Sequence, residues 1–380
     1  MNGIINTDKL KKVCIITAAR SEYGLLKWVI DGVYHDSELD LQLLVTGAHL
    51  SEEHGKTVCF IEEDGYPIAA RVDMHLSSDN RKDIVRSMGF CSMGIADALQ
   101  ELRPDVVMVL GDRYELIPIV SAALVMGIPI AHISGGDVTE GAIDNEVRNA
   151  VSMMSSIHFP GVESSAANLR RMLGADAPIY TAGEPGLESF LRFDLMSRNE
   201  LADNIGLDVN KPWCLVTLHS ETKLSLEENL DMVKTLFEAM REAKNLQFVI
   251  SKANADFGGI QINDFWDEAV KQDTQKYHLF NSLGQRRYLS FMQQTVGVIG
   301  NSSSGIVEAP FLGIPVVNIG DRQKGRHLCK NVIQCDRTKE AIEKAFEKMF
   351  AQSKIVDTYY GDGHTSEFII TKLKEWLRTK

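Results

Sequence analysis

The chain has 380 residues, of which 44% are apolar and 24% charged, and its formal net charge is −12. Such a composition belongs to an ordinary globular protein long enough for two hydrophobic cores. Its acidity argues against nucleic acid or an anionic membrane as a partner, but not against a nucleotide, which a few local arginines can hold.

Apolar runs alternate with helical periodicity along nearly the whole chain. The first half predicts strands at Val13–Thr17, Leu41–Val45, Ile68–Val72, Val106–Leu110, Ile128–Ile133, Ser156–Phe159 and Ile179–Tyr180. Helices are predicted between them at about Tyr23–Val33, Asp83–Leu102, Glu115–Met126 and Ile143–Met153. The runs are continuous rather than alternating, which is the pattern of strands buried on both faces of a parallel sheet. A Gly/Pro cluster at Gly183–Gly186 marks a link. A second α/β series follows it, with strands at Cys214–Leu218, Gln247–Ile250, Val296–Ile299 and Pro315–Ile319. The fold class expected is α/β, with two Rossmann-like doubly wound domains and a cleft between them, where ligands meet the carboxyl ends of the strands.

Polar motifs sit at those ends. Arg20 and Ser21 follow the first strand; Arg20 suits a phosphate, and Ser21 serves equally as a helix cap. Gly111-Asp112-Arg113 places a carboxylate beside a guanidinium after a buried strand, as a tuned acid/base group or as a cap paired to Arg113. Ser134-Gly135-Gly136-Asp137 follows the next strand. Asp144 and Arg148, four apart, share a helix face as a plain ion pair or as catalytic groups. His132 lies in an apolar run and reads as a satisfied core residue. His219, Asn254 and Asp256 end strands of the second series. The richest stretch is Gly300–Arg326. There a strand, the turn Ser302-Ser303-Ser304, a helix carrying Glu308 and a loop with Arg322, Lys324 and Arg326 form an anion site suited to a nucleotide diphosphate, with Glu308 placed for a ribose diol.

Exclusions narrow the field. No GxGxxG follows the first strand and no GxxxxGK[ST] or GxSxG occurs, which disfavours dinucleotide, P-loop and serine-hydrolase chemistry. The six cysteines form no CxxC pair and read as reduced thiols, and no metal-ligand spacing is present. The polar first residues do not make a signal peptide, and no run is long enough to span a membrane, so a cytoplasmic protein is expected.

RSEYG (Arg20–Gly24), GDRYE (Gly111–Glu115), GNSSSG (Gly300–Gly305) and GDRQKGR (Gly320–Arg326) occur in an order and spacing that resemble the hydrolysing UDP-N-acetylglucosamine 2-epimerases of bacterial sialic acid biosynthesis. The resemblance runs from Val13 to about Phe368. It implies a GT-B-like fold. Residues 1–184 would carry the sugar site and catalytic carboxylates, residues 185–363 would bind UDP, and residues 364–380 would form a helix returning to the first domain. It implies that Asp112, Asp144, Arg148 and His219 are catalytic. Arg20, Ser21, Arg113, Asn254, Ser302, Ser303, Glu308 and Arg322 would contact the nucleotide or substrate.

The implied reaction turns UDP-N-acetylglucosamine and water into N-acetylmannosamine and UDP by anti elimination and rehydration, without metal or cofactor. It would serve sialic acid and surface-polysaccharide synthesis in a homodimer or homotetramer. Ser134 stands where many members carry Glu and others His, and Asp137 is the carboxylate available to compensate. The segment Val138–Ile143 is one residue longer than the VSGTI form and is similar to that of enzymes acting on UDP-N,N′-diacetylbacillosamine in legionaminic acid synthesis. Ser220 replaces a usual Pro. Rival readings are that sugar as substrate, a GT-B glycosyltransferase, a non-hydrolysing epimerase, and a non-catalytic UDP-sugar binder.

Overall fold

A computed structural model describes residues 10–52, 56–76, 81–138, 143–221, 223–253 and 258–380. The chain divides into two compact units, Met1–Glu188 with Gly363–Lys380, and Ser189–Asp362.

In the first unit the strands are β1 (Lys11–Thr17), β2 (Leu39–Thr46), β3 (Ile68–Val72), β4 (Val106–Leu110), β5 (Ile130–Ile133) and β6 (Ile157–Phe159). The helices are α1 (Arg20–His35), α2 (Val58–Glu63), α3 (Arg81–Leu102), α4 (Leu116–Val125), α5 (Asp144–Met154) and α6 (Glu163–Leu173). The strands pair in parallel in the order β3-β2-β1-β4-β5-β6. Every residue of β4 is buried, as its unbroken VVMVL run predicts. Alternate side chains feed two cores. Val106 and Met108 face the layer with α1, and Val107 and Val109 face the layer with α3 and α4. The order reverses between β1 and β4, so these two strands diverge into opposite crossovers and leave a crevice at their carboxyl ends.

The second unit runs α7 (Ser189–Arg192), α8 (Arg198–Ile205), β7 (Trp213–Thr217), α9 (Leu226–Glu242), β8 (Gln247–Ser251), α10 (Gly259–Ala269), β9 (Tyr277–Phe280), α11 (Gln285–Gln294), β10 (Gly297–Gly300), α12 (Ser303–Phe311), β11 (Val316–Ile319), β12 (Val332–Cys335) and α13 (Lys339–Ala351). Its parallel sheet has the order β12-β11-β10-β7-β8-β9. The reversal falls between β10 and β7. The α/β, doubly wound class expected from the sequence is what both units adopt. Two strands escaped the sequence reading, β9 and β12. Both are edge strands and only partly buried, so neither carries a continuous apolar run. Ile179–Tyr180 reduces to a single bridge, His158 to Ile179. All six cysteines are free, and Cys14, Cys91, Cys214 and Cys329 are buried.

The final helix, α14 (Thr365–Leu377), packs on α1, placing Ile369, Leu373, Trp376 and Leu377 in the first unit's core. Its start is fixed by a buried carboxylate. Glu188 accepts from the Ser366 backbone N–H at 2.8 Å and from its Oγ at 2.6 Å. A carboxylate there also meets the positive end of the helix dipole. Glu188→Ala is expected to cost about 2–4 kcal/mol, because it strands two buried donors. Urea denaturation measures that loss. Faster hydrogen exchange across residues 365–377 with slow exchange retained in β4 localises it, and unchanged exchange in α14 refutes it.

Candidate active site

In the first unit the catalytic candidates gather where β4 and β5 end. Gly111 leaves β4 at φ +89°, and its N–H still donates to Ile133 O at 3.0 Å. His132 holds the next atoms of this turn. Its Nε2 lies 2.8 Å from Gly111 O, an acceptor only, so that nitrogen carries the proton, and Nδ1 accepts from Ser152 Oγ at 3.0 Å. Burial lowers the imidazole to about 4, which keeps it neutral. It is thus the satisfied core residue expected, and it also tethers the Gly111–Arg113 turn.

Arg148, on the first turns of α5, is the buried cation of this site. Its Nη2 donates to Asp112 Oδ2, and its Nη1 donates to Asp137 O at 2.8 Å. The alternatives left open by sequence resolve here: Asp112 pairs with Arg148, and Arg113 pairs instead with Glu115, Nη2 to Oε1 at 2.6 Å. Asp144 is half-buried, and its pKa is raised, by burial first and then by the Asp112 charge, against the pull of Arg148 and Arg113. Two interacting carboxyls therefore differ in environment: Asp112 is ion-paired, and Asp144 is pushed upward by burial and by Asp112.

Asp137 belongs to the turn rather than to open space. Its Oδ1 accepts from Ser165 Oγ of α6. Gly136, at φ +83°, lies so close to Ser165 O that any Cβ would overlap it. Ser134 occupies the left-handed region at φ +59°, an uncommon conformation for a residue with a side chain. Thr139–Ala142 lie outside the described residues, so the length of that segment has no structural account.

Arg20 begins α1, exposed, with its guanidinium 4.4 Å from the Phe60 ring centroid. Ser21 is exposed too and does not cap the helix, whose N-cap is Ala19; Glu22 accepts from Ala18 N at 2.7 Å, just before the cap.

In the second unit the ends of β7, β10 and β11 are tied together by residues of the GNSSSG motif to which the sequence assigned no such role. Gly300, at φ +137°, presses against the Thr217 carbonyl, where no Cβ fits. Asn301 follows it, fully buried. Its side chain accepts from His219 N and donates to His219 O, both at 2.8 Å, and its own carbonyl accepts from Arg322 Nη1 at 3.2 Å and Gln323 Nε2 at 2.9 Å. Glu221 does the same for the Gly320 loop, accepting from Asp321 N at 3.0 Å. His219 and Arg322 are thus brought to one place by an asparagine. Ser302 caps α12 through Ser304 N, and Ser303 is exposed at the helix start, where unpaired N–H groups favour an anion. Glu308, a turn and a half on, has its pKa raised by burial, offset by Arg326. Asn254 and Asp256 lie outside the described residues.

Residues 32–374 match the protein-family model described as UDP-N-acetylglucosamine 2-epimerase. The chain belongs to that family. It is an enzyme, like the relatives it matches. It is 35% identical to the GDP/UDP-N,N′-diacetylbacillosamine 2-epimerase (hydrolyzing) of Campylobacter jejuni, over 89% of this chain and 87% of that one. It is 32% identical to polysialic acid biosynthesis protein P7 of Escherichia coli, over 88% of this chain and 84% of the relative. Among solved structures, the UDP-GlcNAc 2-epimerase from Neisseria meningitidis bound to UDP-GlcNAc matches with a TM-score of 0.78 at 18% identity, covering 96% of this chain and 100% of the other. The family and the GT-B-like fold expected from the motifs are therefore those found. Among the described residues no helix is long and apolar enough to cross a membrane.

Asn301→Ala is expected to destabilise the second unit by about 2–4 kcal/mol, since it leaves the buried N–H and C=O of His219 unpaired. Asn301→Asp, which keeps the acceptor alone, should fall between. Denaturation followed by Trp213 and Trp266 fluorescence measures this, and an Ala variant as stable as the wild type removes the lock.

Proposed function

We propose that this enzyme is a hydrolysing UDP-sugar 2-epimerase that releases UDP and a free 2-acetamido sugar inverted at C2. The observation that carries the reading is the pair of interacting carboxyls in the first unit, Asp112 ion-paired to buried Arg148 and Asp144 half-buried beside it, with its pKa raised by burial and by the Asp112 charge. Family membership supports the same reading.

The chemistry needs such a pair. The C2 proton of an acetamido sugar is not acidic until the C1–O bond loosens and C1 becomes electron-poor. In the proposed sequence a carboxylate takes the C2 proton, the C–H electrons form the C1–C2 double bond, and UDP leaves with the C1–O electron pair. Water then adds to C1 of the 2-acetamidoglucal, and a second group returns a proton to C2 from the opposite face. One group must begin ionised and one protonated. We assign the base to Asp112 and the acid to Asp144, with Arg148 holding Asp112 and Arg113 a substrate contact. Asp137 serves as the brace of the turn. In the second unit Ser302, Ser303 and Arg322 would hold the departing diphosphate, Glu308 the ribose and His219 a proton or phosphate oxygen. Arg20 would contact the nucleotide.

For the sugar we propose UDP-N-acetylglucosamine, giving N-acetylmannosamine, in surface-polysaccharide synthesis; the family description and the Escherichia coli relative support this. A second reading, UDP-N,N′-diacetylbacillosamine, is favoured by the Campylobacter jejuni relative and by the residues Val138–Ile143.

Incubation of each UDP-sugar with the enzyme in heavy water, followed by NMR, tests both layers. The expected product is free sugar, C2-inverted and deuterated at C2, with one sugar turned over well ahead of the other. Product without deuterium at C2 would sink the elimination, and sugar passed to an acceptor with C2 unchanged would show a glycosyltransferase. UDP-sugar held for hours with no UDP released would show a binder. Asp112→Asn should lower turnover by about 10²–10⁴-fold while UDP binding, measured by calorimetry, persists. Unchanged turnover removes Asp112 from the proton chemistry.

A further inference from the structure

Beside the site just described lie two buried carboxyls that the reaction scheme does not use. Glu22 on α1 and Glu115 before α4 are 3% and 0% exposed. They stand at the carboxyl ends of β1 and β4, the strands that flank the crevice of the sheet. Between two buried carboxyls there is one guanidinium, Arg113, bonded to Glu115 and with its side chain 40% exposed. Three buried atoms of the trio have no hydrogen-bond partner: Glu22 Oε1, Glu115 Oε2 and Arg113 Nε. One cation compensates one anion. A second buried carboxylate next to it carries a large desolvation cost unless it takes up a proton.

We propose that Glu115 is a positioning residue that anchors Arg113 toward an anionic sugar nucleotide, and that Glu22 is a one-proton site whose ionisation weakens that arginine's pull. The proposal rests on the reading above of Arg113 as a substrate contact and extends it inward. The surroundings fit a neutral Glu22. Its pKa is raised to about 7, by burial first and also by Glu115, against the Ala18 and Ala19 N–H groups and Arg113. Of the other titratable groups near the trio, Asp144 and Tyr114 also interact with Arg113, whereas His49 and Cys91 are uncharged at that pH. His49, with Nε2 3.1 Å from Thr17 Oγ1 and Nδ1 2.9 Å from Thr57 Oγ1, is lowered to about 4 by burial. Cys91 on α3, which also feels Glu115, is raised to about 12 by burial. Arg113 itself is held above its ordinary value by Glu115 and then Glu22, against its own burial. Protonated Glu22 therefore leaves Arg113 bonded to Glu115 with no added charge from α1, and ionisation of Glu22 near pH 7 adds a negative charge that opposes an approaching diphosphate.

The sign for stability follows. A carboxyl raised in the folded state contributes stability that is fully present below its unfolded value and lost as pH rises through about 7. Glu22→Gln, the neutral isostere, should melt close to the wild type at low pH and above it beyond neutrality.

The experiment compares wild type, Glu22→Gln and Glu115→Gln across about pH 6 to 8.5, reading kcat/KM for UDP release, UDP-N-acetylglucosamine affinity by calorimetry, melting temperature, and the protonated-carboxyl band in infrared difference spectra. The wild type is expected to lose about three- to tenfold in affinity and kcat/KM relative to Glu22→Gln over that range, with an infrared band that disappears on the same titration and is missing in Glu22→Gln. Glu115→Gln should weaken affinity by about tenfold at the low end of the range, more in KM than in kcat, and Glu115→Asp should restore part of it.

Identical pH profiles for wild type and Glu22→Gln, or no such band, overturn the role of Glu22. Affinity within twofold in a folded Glu115→Gln overturns that of Glu115, and if that variant does not fold, Arg113→Lys with unchanged affinity does so. A wild type that binds the sugar nucleotide and releases no UDP refutes the functional reading while affinity and infrared still decide this one. A wild type with no affinity for it refutes both.

Discussion

A parallel strand covered on both faces has nowhere to put a polar side chain except at its ends, and the chemistry of this protein follows from that constraint. Within β4 and β7 every residue is buried, and the backbone is spent on ladder hydrogen bonds. The first residues free to carry charge are those just past the carboxyl ends. Both sheets reverse order once, between β1 and β4 and between β10 and β7, and each reversal opens a crevice where a ligand can approach without displacing a crossover. Asp112 and Arg113 stand at one reversal, and His219 and the Ser302 turn stand at the other.

Charges placed there are half withdrawn from water, so each must be compensated. The first unit does this with two guanidiniums of different character. Arg148 is buried and fixes the turn, binding one carboxylate and one carbonyl. Arg113 is held from behind by Glu115 and keeps an exposed side. A buried pair of this kind contributes little net stability, because desolvation offsets the attraction, but removing one partner is costly. Its value lies in geometry: it holds the proposed acid/base group and the proposed substrate contact in place before substrate arrives. The second unit reaches the same end with neutral groups, using Asn301 where the first unit uses Arg148.

Most strands could be read from the chain, because a continuous run such as VVMVL has one stable environment, and so could the longer helices of the first unit. The edge strands β9 and β12 could not, since a half-exposed strand of four residues has neither a continuous run nor enough length to show a period. Among site residues the motif glycines and serines were legible. His132 was rightly read as core, yet its hold on Gly111 was not visible, because the partners are 21 residues apart. Asn301 sat inside a recognised motif with no hint that it clamps His219, 82 residues away. A pairing of Arg113 with the adjacent Asp112 was one of two readings left open, whereas the bond goes to Glu115, whose buried position follows from the turn into α4.

What the chain by itself determined is which segments bury and which residue types stand at their ends, because periodicity and the absence of alternatives for a long apolar run are local properties. It determined the family as well, since four motifs in fixed order leave little choice. Which carboxylate each arginine takes, which oxygen is left without a partner, and which carboxyl is pushed upward by burial were decided only by the tertiary structure. Those outcomes depend on distances and solvent access among groups far apart in sequence, and the free energy of a buried charge is set by the neighbours the fold supplies.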